Sequence, residues 1–159
     1  MSGIVDIGDS KSGLIGFGNR SVTFGANSSQ TTHDYAADSW QLLLMDTAFW
    51  NIGGGVFDGS SARSWTAPVK GKYSFIYGGE TEGTIDDTQF CNIAIRLNGS
   101  SYPGGGIWRW YATGNNHQLR ARGTVTLDLS AGNYVQFQIY QNGPEACKFG
   151  DTFFGGFLV

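Results

Sequence analysis

The sequence predicts an all-β sandwich, and three observations carry that prediction. Large apolar residues recur at every second position in KYSFIY (72–77), NIAIRL (92–97), TVTLDL (124–129) and YVQFQIY (134–140), the period-two mark of strands with one buried face. Gly numbers 25 and aromatics make up 14% of the chain, against only 14% charged residues, a composition of short strands and many turns. No apolar stripe of helical spacing and useful length occurs. A chain of 159 residues is one domain, long enough to bury roughly two thirds of its unfolded surface. Eight or so strands separated by Gly and Asn turns mean a sandwich or jelly roll.

The elements follow in order. Residues 1–35 are rich in Gly, Ser, Asn and Thr, with isolated apolar residues at Leu14, Ile15, Phe17, Val22 and Phe24. This composition predicts an extended N-terminal arm too weakly apolar to form a core. Its apolar residues are the candidate anchor to a neighbouring protein, because strand addition draws its affinity from the main chain. The domain proper is expected over 36–159. WQLLLMD (40–46) reads as a strand covered on both faces. A Pro-x-x-Gly turn at Pro68–Gly71 leads into Tyr73, Phe75 and Tyr77 on one face. Ile93, Ile95 and Leu97 alternate with Asn92, Ala94 and Arg96 up to an Asn98-Gly99 turn. IWRWY (107–111) follows a triple-Gly run, and Val125, Leu127 and Leu129 precede Val135, Phe137 and Ile139, with Gln136 and Gln138 turned the other way. The chain stops on the apolar segment FFGGFLV (153–159) without a polar tail, which predicts a strand in the middle of a sheet. Gly155 and Gly156 predict a close approach there.

Several function classes receive no support. The net charge is −3 and the ten Lys and Arg are scattered, so nucleic acid is not an expected partner. Residues 1–10 carry Asp6 and Asp9 and lack the apolar centre of a secretory signal. No apolar run reaches the ~20 residues of a spanning helix. Cys91 and Cys147 are expected to be buried free thiols, since a domain of this size needs no staple; a single disulfide is the alternative. His33 and His117 have no zinc-ligand spacing. The sequons at Asn19, Asn27 and Asn98 matter only in a secreted chain. No G-x-S-x-G occurs and neither cysteine has a histidine at a recognisable distance, so no enzyme activity and no cofactor are expected. Asp86 and Asp87, near Glu80 and Glu82, are weak calcium candidates through their hard oxygens; a solvated acidic loop is the plainer reading.

The aromatics are more informative. Tyr102, Trp108, Trp110 and Tyr111 cluster around the triple-Gly run and supply either a receptor platform or interface packing. Alternation allows only one side of that strand, the two Trp or Ile107 and Tyr111, to turn inward.

These residues carry a resemblance. Phe57-Asp58, then Pro68, Val69, Gly71, Tyr73 and Phe75, then Leu127, Leu129, Gly132 and Val135, and finally Phe154, Gly156, Phe157 and Leu158 stand in the order and spacing of the globular head of complement component one q and its tumour-necrosis-factor relatives. The match spans roughly 40–159. It implies a jelly roll of about eight to ten strands that closes into a homotrimer with its final strand near the inside. The chain has neither a collagen-like stalk ahead of the domain nor a secretory signal, and its short arm resembles phage and virus structural proteins of this fold. The expected function is therefore a non-enzymatic virion component, decorating a capsid or forming a short spike or fibre head. It would bind itself and, through residues 1–35, capsid or tail proteins, with a host-surface glycan as a further partner and assembly in the host cytoplasm. A soluble module that binds glycan or peptide is the alternative.

Overall fold

The computed structural model describes residues 22–29, 32–82, 89–101, 107–111, 120–143 and 147–159. Two antiparallel sheets face each other, and the described residues contain no helix. One sheet has the order β11 (Arg120–Leu129), β7 (Gly71–Glu82), β13 (Cys147–Leu158), β1 (Thr23–Asn27) and β4 (Thr47–Ile52), with β2 (Thr32–Tyr35) also on β13. The other runs β10 (Ile107–Tyr111), β8 (Phe90–Leu97), β12 (Tyr134–Gln141), β6 (Ser64–Thr66) and β5 (Val56–Asp58). There β3 (Gln41–Leu42) pairs with β12, and β9 (Ser100–Ser101) with β8. The described residues form thirteen strand segments, several of two or three residues, so the expected sandwich is cut into more pieces than eight to ten.

The alternating stretches fold as their period dictates. Tyr73, Phe75, Tyr77, Ile93, Ile95, Leu127, Leu129, Val135, Phe137 and Ile139 all point into the space between the sheets. Asn98 and Gly99 both have positive φ, 51° and 78°, as a two-residue hairpin turn between strands of right-handed twist demands. Ser130–Asn133, by contrast, is a corner. It carries the chain from β11 in one sheet to β12 in the other, with Gly132 at φ 85°.

The last strand lies at the centre of its sheet, between β7 and β1. Its two adjacent glycines serve opposite faces. A Cβ on Gly156 would stand 2.6 Å from the Phe75 ring and 2.9 Å from the Phe24 ring, so bare backbone there lets two core rings settle on the sheet.

Two expectations are corrected. Residues 22–35 belong to the jelly roll. Val22, Phe24, Ala26 and Tyr35 are core residues, because Val22, Phe24 and Ala26 alternate at period two within a Gly- and Asn-rich context that masks their apolar character. Residues 40–46 are not one strand. Only Gln41–Leu42 pairs, while Leu43, Leu44 and Met45 are buried without ladder partners as the chain crosses from one sheet to the other. Their backbone groups are satisfied individually: Leu43 N donates to Phe137 O (2.8 Å), Leu44 N to the Tyr35 hydroxyl (2.8 Å), and the Thr152 hydroxyl to Leu44 O (2.9 Å). Asp46 ends the crossing as a clamp on Ser29, accepting from its amide and its hydroxyl, each at 2.6 Å. Gln136 and Gln138 turn the other way, as the alternation predicts, and are nonetheless buried: their amides donate to Ala62 O (2.6 Å) and Ser101 Oγ (3.2 Å).

Candidate functional site

Two surfaces stand out among the described residues. The first is the outer face of the six-stranded sheet. Register places Thr124, Ile76, Gly155, Gly25 and Trp50 in one row across five strands, and Thr126, Ser74, Phe157, Thr23 and Ile52 in the next. Ile76, Trp50, Phe157 and Ile52 are 50–54% exposed, a contiguous apolar patch of the kind that marks an interaction surface. The Trp50 indole lies over Gly25, where a Cβ would stand 2.6 Å from the ring, and donates through Nε1 to Thr23 Oγ1 (2.9 Å). Phe49 stacks on Trp50 at 5.9 Å. At the other end of the face Arg120 pairs with Glu80 (2.8 Å), and the Arg122 guanidinium stands 5.9 Å from the Phe153 ring.

Beside this face is the open edge of the sandwich, where β10 overhangs β11. Trp108 and Trp110 are on the inward side of β10, yet β10 is an edge strand and Trp108 stays 43% exposed. Trp108 fits there because Gly123 has no side chain; a Cβ would stand 2.6 Å from its ring. Trp108 also hydrogen-bonds Tyr77, whose hydroxyl is nevertheless pushed well above its usual range by burial. Together with Ile76 and Thr124 the two indoles line a cleft of about 310 Å³.

The second surface is on the outer face of the seven-stranded sheet, on the opposite side of the molecule. Arg109, Asn92 and Tyr140 are cross-strand neighbours in one row, and Tyr111 and Phe90 in the next. Phe90 is 5.9 Å from Tyr111 and 5.9 Å from Tyr140, and Trp40 leans on Tyr140 at 5.5 Å. Arg109 lies over the Phe90 ring at 4.3 Å, with Nε donating to Asn92 Oδ1 (2.9 Å) and Nη1 to the Tyr111 hydroxyl (3.3 Å). Tyr140 donates to Asp38 Oδ1 (3.0 Å), and that bond holds its phenol above the ordinary range. The turn carrying Asp38 and Trp40 is pinned in place. Asp38 N donates to Gln141 O (2.8 Å), and Gln41 Nε2 to Ala36 O (3.3 Å) and Ser39 Oγ (3.1 Å). A shallow trough of about 290 Å³ runs between Trp40, Phe90, Ile107 and Arg109.

The residues singled out from the sequence are thereby separated. Trp108 and Trp110 belong to the edge cleft and Tyr111 to the aromatic row, so the four aromatics do not form one platform. Val22 and Phe24 are committed to the core and are unavailable to a partner. Leu14, Ile15, Phe17, Tyr102, Asp86 and Asp87 lie outside the described residues. Glu80 is taken up by Arg120, and Cys91 is buried in the core. Trp40, Phe90, Arg109 and Tyr140 went unnoticed because they come from three separate strands and a turn. Only the register that sets Arg109 opposite Asn92, and Asn92 opposite Tyr140, unites them.

No family model and no curated protein match the sequence. Solved structures do match in shape. The globular domain of zebrafish complement 1qA protein superposes with a TM-score of 0.61 at 16% identity, over 87% of this chain and 96% of that one. The Eiger TNF of S. frugiperda superposes with a TM-score of 0.62 at 8% identity, over 88% and 93%. At these identities the likeness is one of fold: this chain is a complement 1q/TNF-like jelly roll. No helix among the described residues is long and apolar enough to cross a membrane.

Proposed function

We propose that this chain is a non-enzymatic binding protein that works as a homotrimer, with the outer face of the six-stranded sheet as its seam. The observation that carries the reading is the apolar patch Ile76, Phe157, Trp50 and Ile52, mounted on the paired strands β7, β13 and β4 and flanked by the Trp108/Trp110 cleft. A patch next to an edge cleft on the same chain suits a head-to-tail contact, in which the edge of one subunit packs on the face of the next. Such a heterologous contact closes into a ring when the rotation permits. An obligate seam of this kind buries more than ~2,000 Å² in total.

The setting we propose is a phage or virus particle, with residues 1–21 as the attachment. They join the jelly roll at Val22, whose carbonyl accepts from Leu158 N (2.9 Å), so an attachment would leave from the end of the domain where the last strand finishes. A second reading, a soluble recognition module, is favoured by the aromatic row on the opposite sheet, which a pure cementing role does not require.

Light scattering across a range of concentrations tests the assembly. A constant three-chain mass is the expected result, and a single-chain mass throughout would overturn the trimer. The setting is tested by deleting residues 2–21: particle incorporation should be lost while the three-chain mass remains.

A further inference from the structure

We propose that the row Tyr111, Phe90, Tyr140 and Trp40, with Arg109 and Asp38 on its flanks, is a saccharide-binding site that takes pyranose rings. The site lies within one chain and on the sheet opposite the proposed seam, so it stands whether or not the protein assembles.

The geometry sets the chemistry. A pyranose has an apolar face of C–H bonds and an edge of hydroxyls, and it needs a flat aromatic surface with polar groups at its rim. Trp40 and Tyr111 are 42% and 58% exposed and supply the open ring surfaces. Phe90 is already capped by Arg109 at 4.3 Å and serves as their support. At the rim, Arg109 donates two described hydrogen bonds, from Nε and Nη1, which leaves Nη2 for a ligand oxygen. Asp38 accepts from Tyr140 through Oδ1, which leaves Oδ2 to accept from a ligand hydroxyl. A donor fork and a carboxylate at the edge of aromatic faces can read paired hydroxyls.

The same features argue against other occupants. A nucleic acid wants a cationic surface, whereas Arg109 is offset by Asp38 and the chain's isoelectric point is about 5.1. A second copy of this chain would want an apolar centre depleted of charge, yet the middle of this patch is the row Arg109, Asn92 and Tyr140. The site is also built in advance. Its side chains stand on paired strands and on a turn fixed by the backbone hydrogen bond from Asp38 N to Gln141 O, which lowers the ordering cost of binding.

The test uses the full chain and four soluble probes: maltohexaose, cellohexaose, chitohexaose and sialyllactose. Binding is followed by tryptophan fluorescence and by saturation transfer from protein to sugar protons. At least one probe should bind, and Trp40→Ala and Tyr111→Ala should each weaken it about tenfold, the scale of one lost aromatic contact. Arg109→Lys, which keeps the charge but loses the planar fork, should weaken it as well, while Thr126→Ala on the opposite sheet should not. Melting curves that match the parent confirm that each variant is folded. The proposal is overturned if no probe binds at millimolar concentration, or if binding survives all three substitutions unchanged. Binding of a proline-rich decapeptide with no saccharide bound would also overturn it, in favour of a peptide site.

Discussion

Phe24 lies face to face with Trp65, the ring centroids 4.4 Å apart and the planes 13° from parallel. The two rings come from opposite sheets, so this stack ties β1 to the second layer at the centre of the core. Trp65 is fully buried, touches Tyr73 and Phe75 as well, and needs the bare backbone of Gly55, where a Cβ would stand 2.4 Å from its Nε1.

Truncation should therefore have a sharp boundary. A chain starting at Ser21 keeps β1 and is expected to melt cooperatively near the parent temperature. A chain starting at Tyr35 loses Phe24, whose removal alone is worth about 3–5 kcal/mol, together with the strand that covers one side of β13. Circular dichroism should show no cooperative transition for it; a normal melt would refute the assignment of β1 to the core.

The glycines of the central strands separate stability from assembly. Gly156→Ala drives a methyl into two buried rings and should cost about 1–3 kcal/mol, read as a lower melting temperature. Gly25→Ala meets only the half-exposed Trp50 indole, which can swing aside. Its melting temperature should change little, while the apolar face is rearranged and the three-chain mass weakened.

Asp46 gives the fold an acid-sensitive clamp. Burial works to raise its carboxyl, but hydrogen bonds from the Ser29 hydroxyl and amide and from Thr47 outweigh it and hold the group below its ordinary 3.8. A depressed carboxylate contributes stability that is present above the unfolded value and lost as the pH falls through the folded one. The parent should accordingly outlast Asp46→Asn at pH 7, and the gap between their melting temperatures should close as the pH drops below about 4. A gap that stays constant down to pH 2 would show that the clamp does not act through its charge.

Charge on the proposed seam should dissolve it. Phe157→Glu combined with Ile76→Glu places two carboxylates on a patch that must be desolvated, and burying a charge without a partner is strongly unfavourable. Light scattering should give a single-chain mass while the far-ultraviolet spectrum stays that of the parent. An unchanged three-chain mass would move the seam elsewhere.

How much was legible in the sequence depended on where the alternation was clean. Tyr73, Phe75 and Tyr77, and Ile93, Ile95 and Leu97, declared their faces by recurring at every second position, although Ile76 and Ala94 break the polar side, and FFGGFLV declared a central strand. β1 was hidden because Gly25 and Asn27 dilute the period of Val22, Phe24 and Ala26. The apolar run 43–45 misled in the other direction: burial without pairing looks the same in sequence as a doubly covered strand, and it is Tyr35, Phe137 and Thr152, distant in the chain, that show how its backbone is satisfied. The aromatic row was invisible for a related reason. Alternation told that Ile107, Arg109 and Tyr111 share a side, but not that Asn92, Tyr140 and Trp40 would come alongside.

The central place of β13 also has a consequence for how the chain is made. Its neighbours on either side are β7 and β1, both synthesised well before it. Without residues 147–158 the pairings of the six-stranded sheet reduce to two separate pairs, β11–β7 and β1–β4, each with an unpaired inner edge. Bare apolar edges are where chains pair wrongly with one another. A single strand, made after both of its neighbours, therefore closes both edges at once.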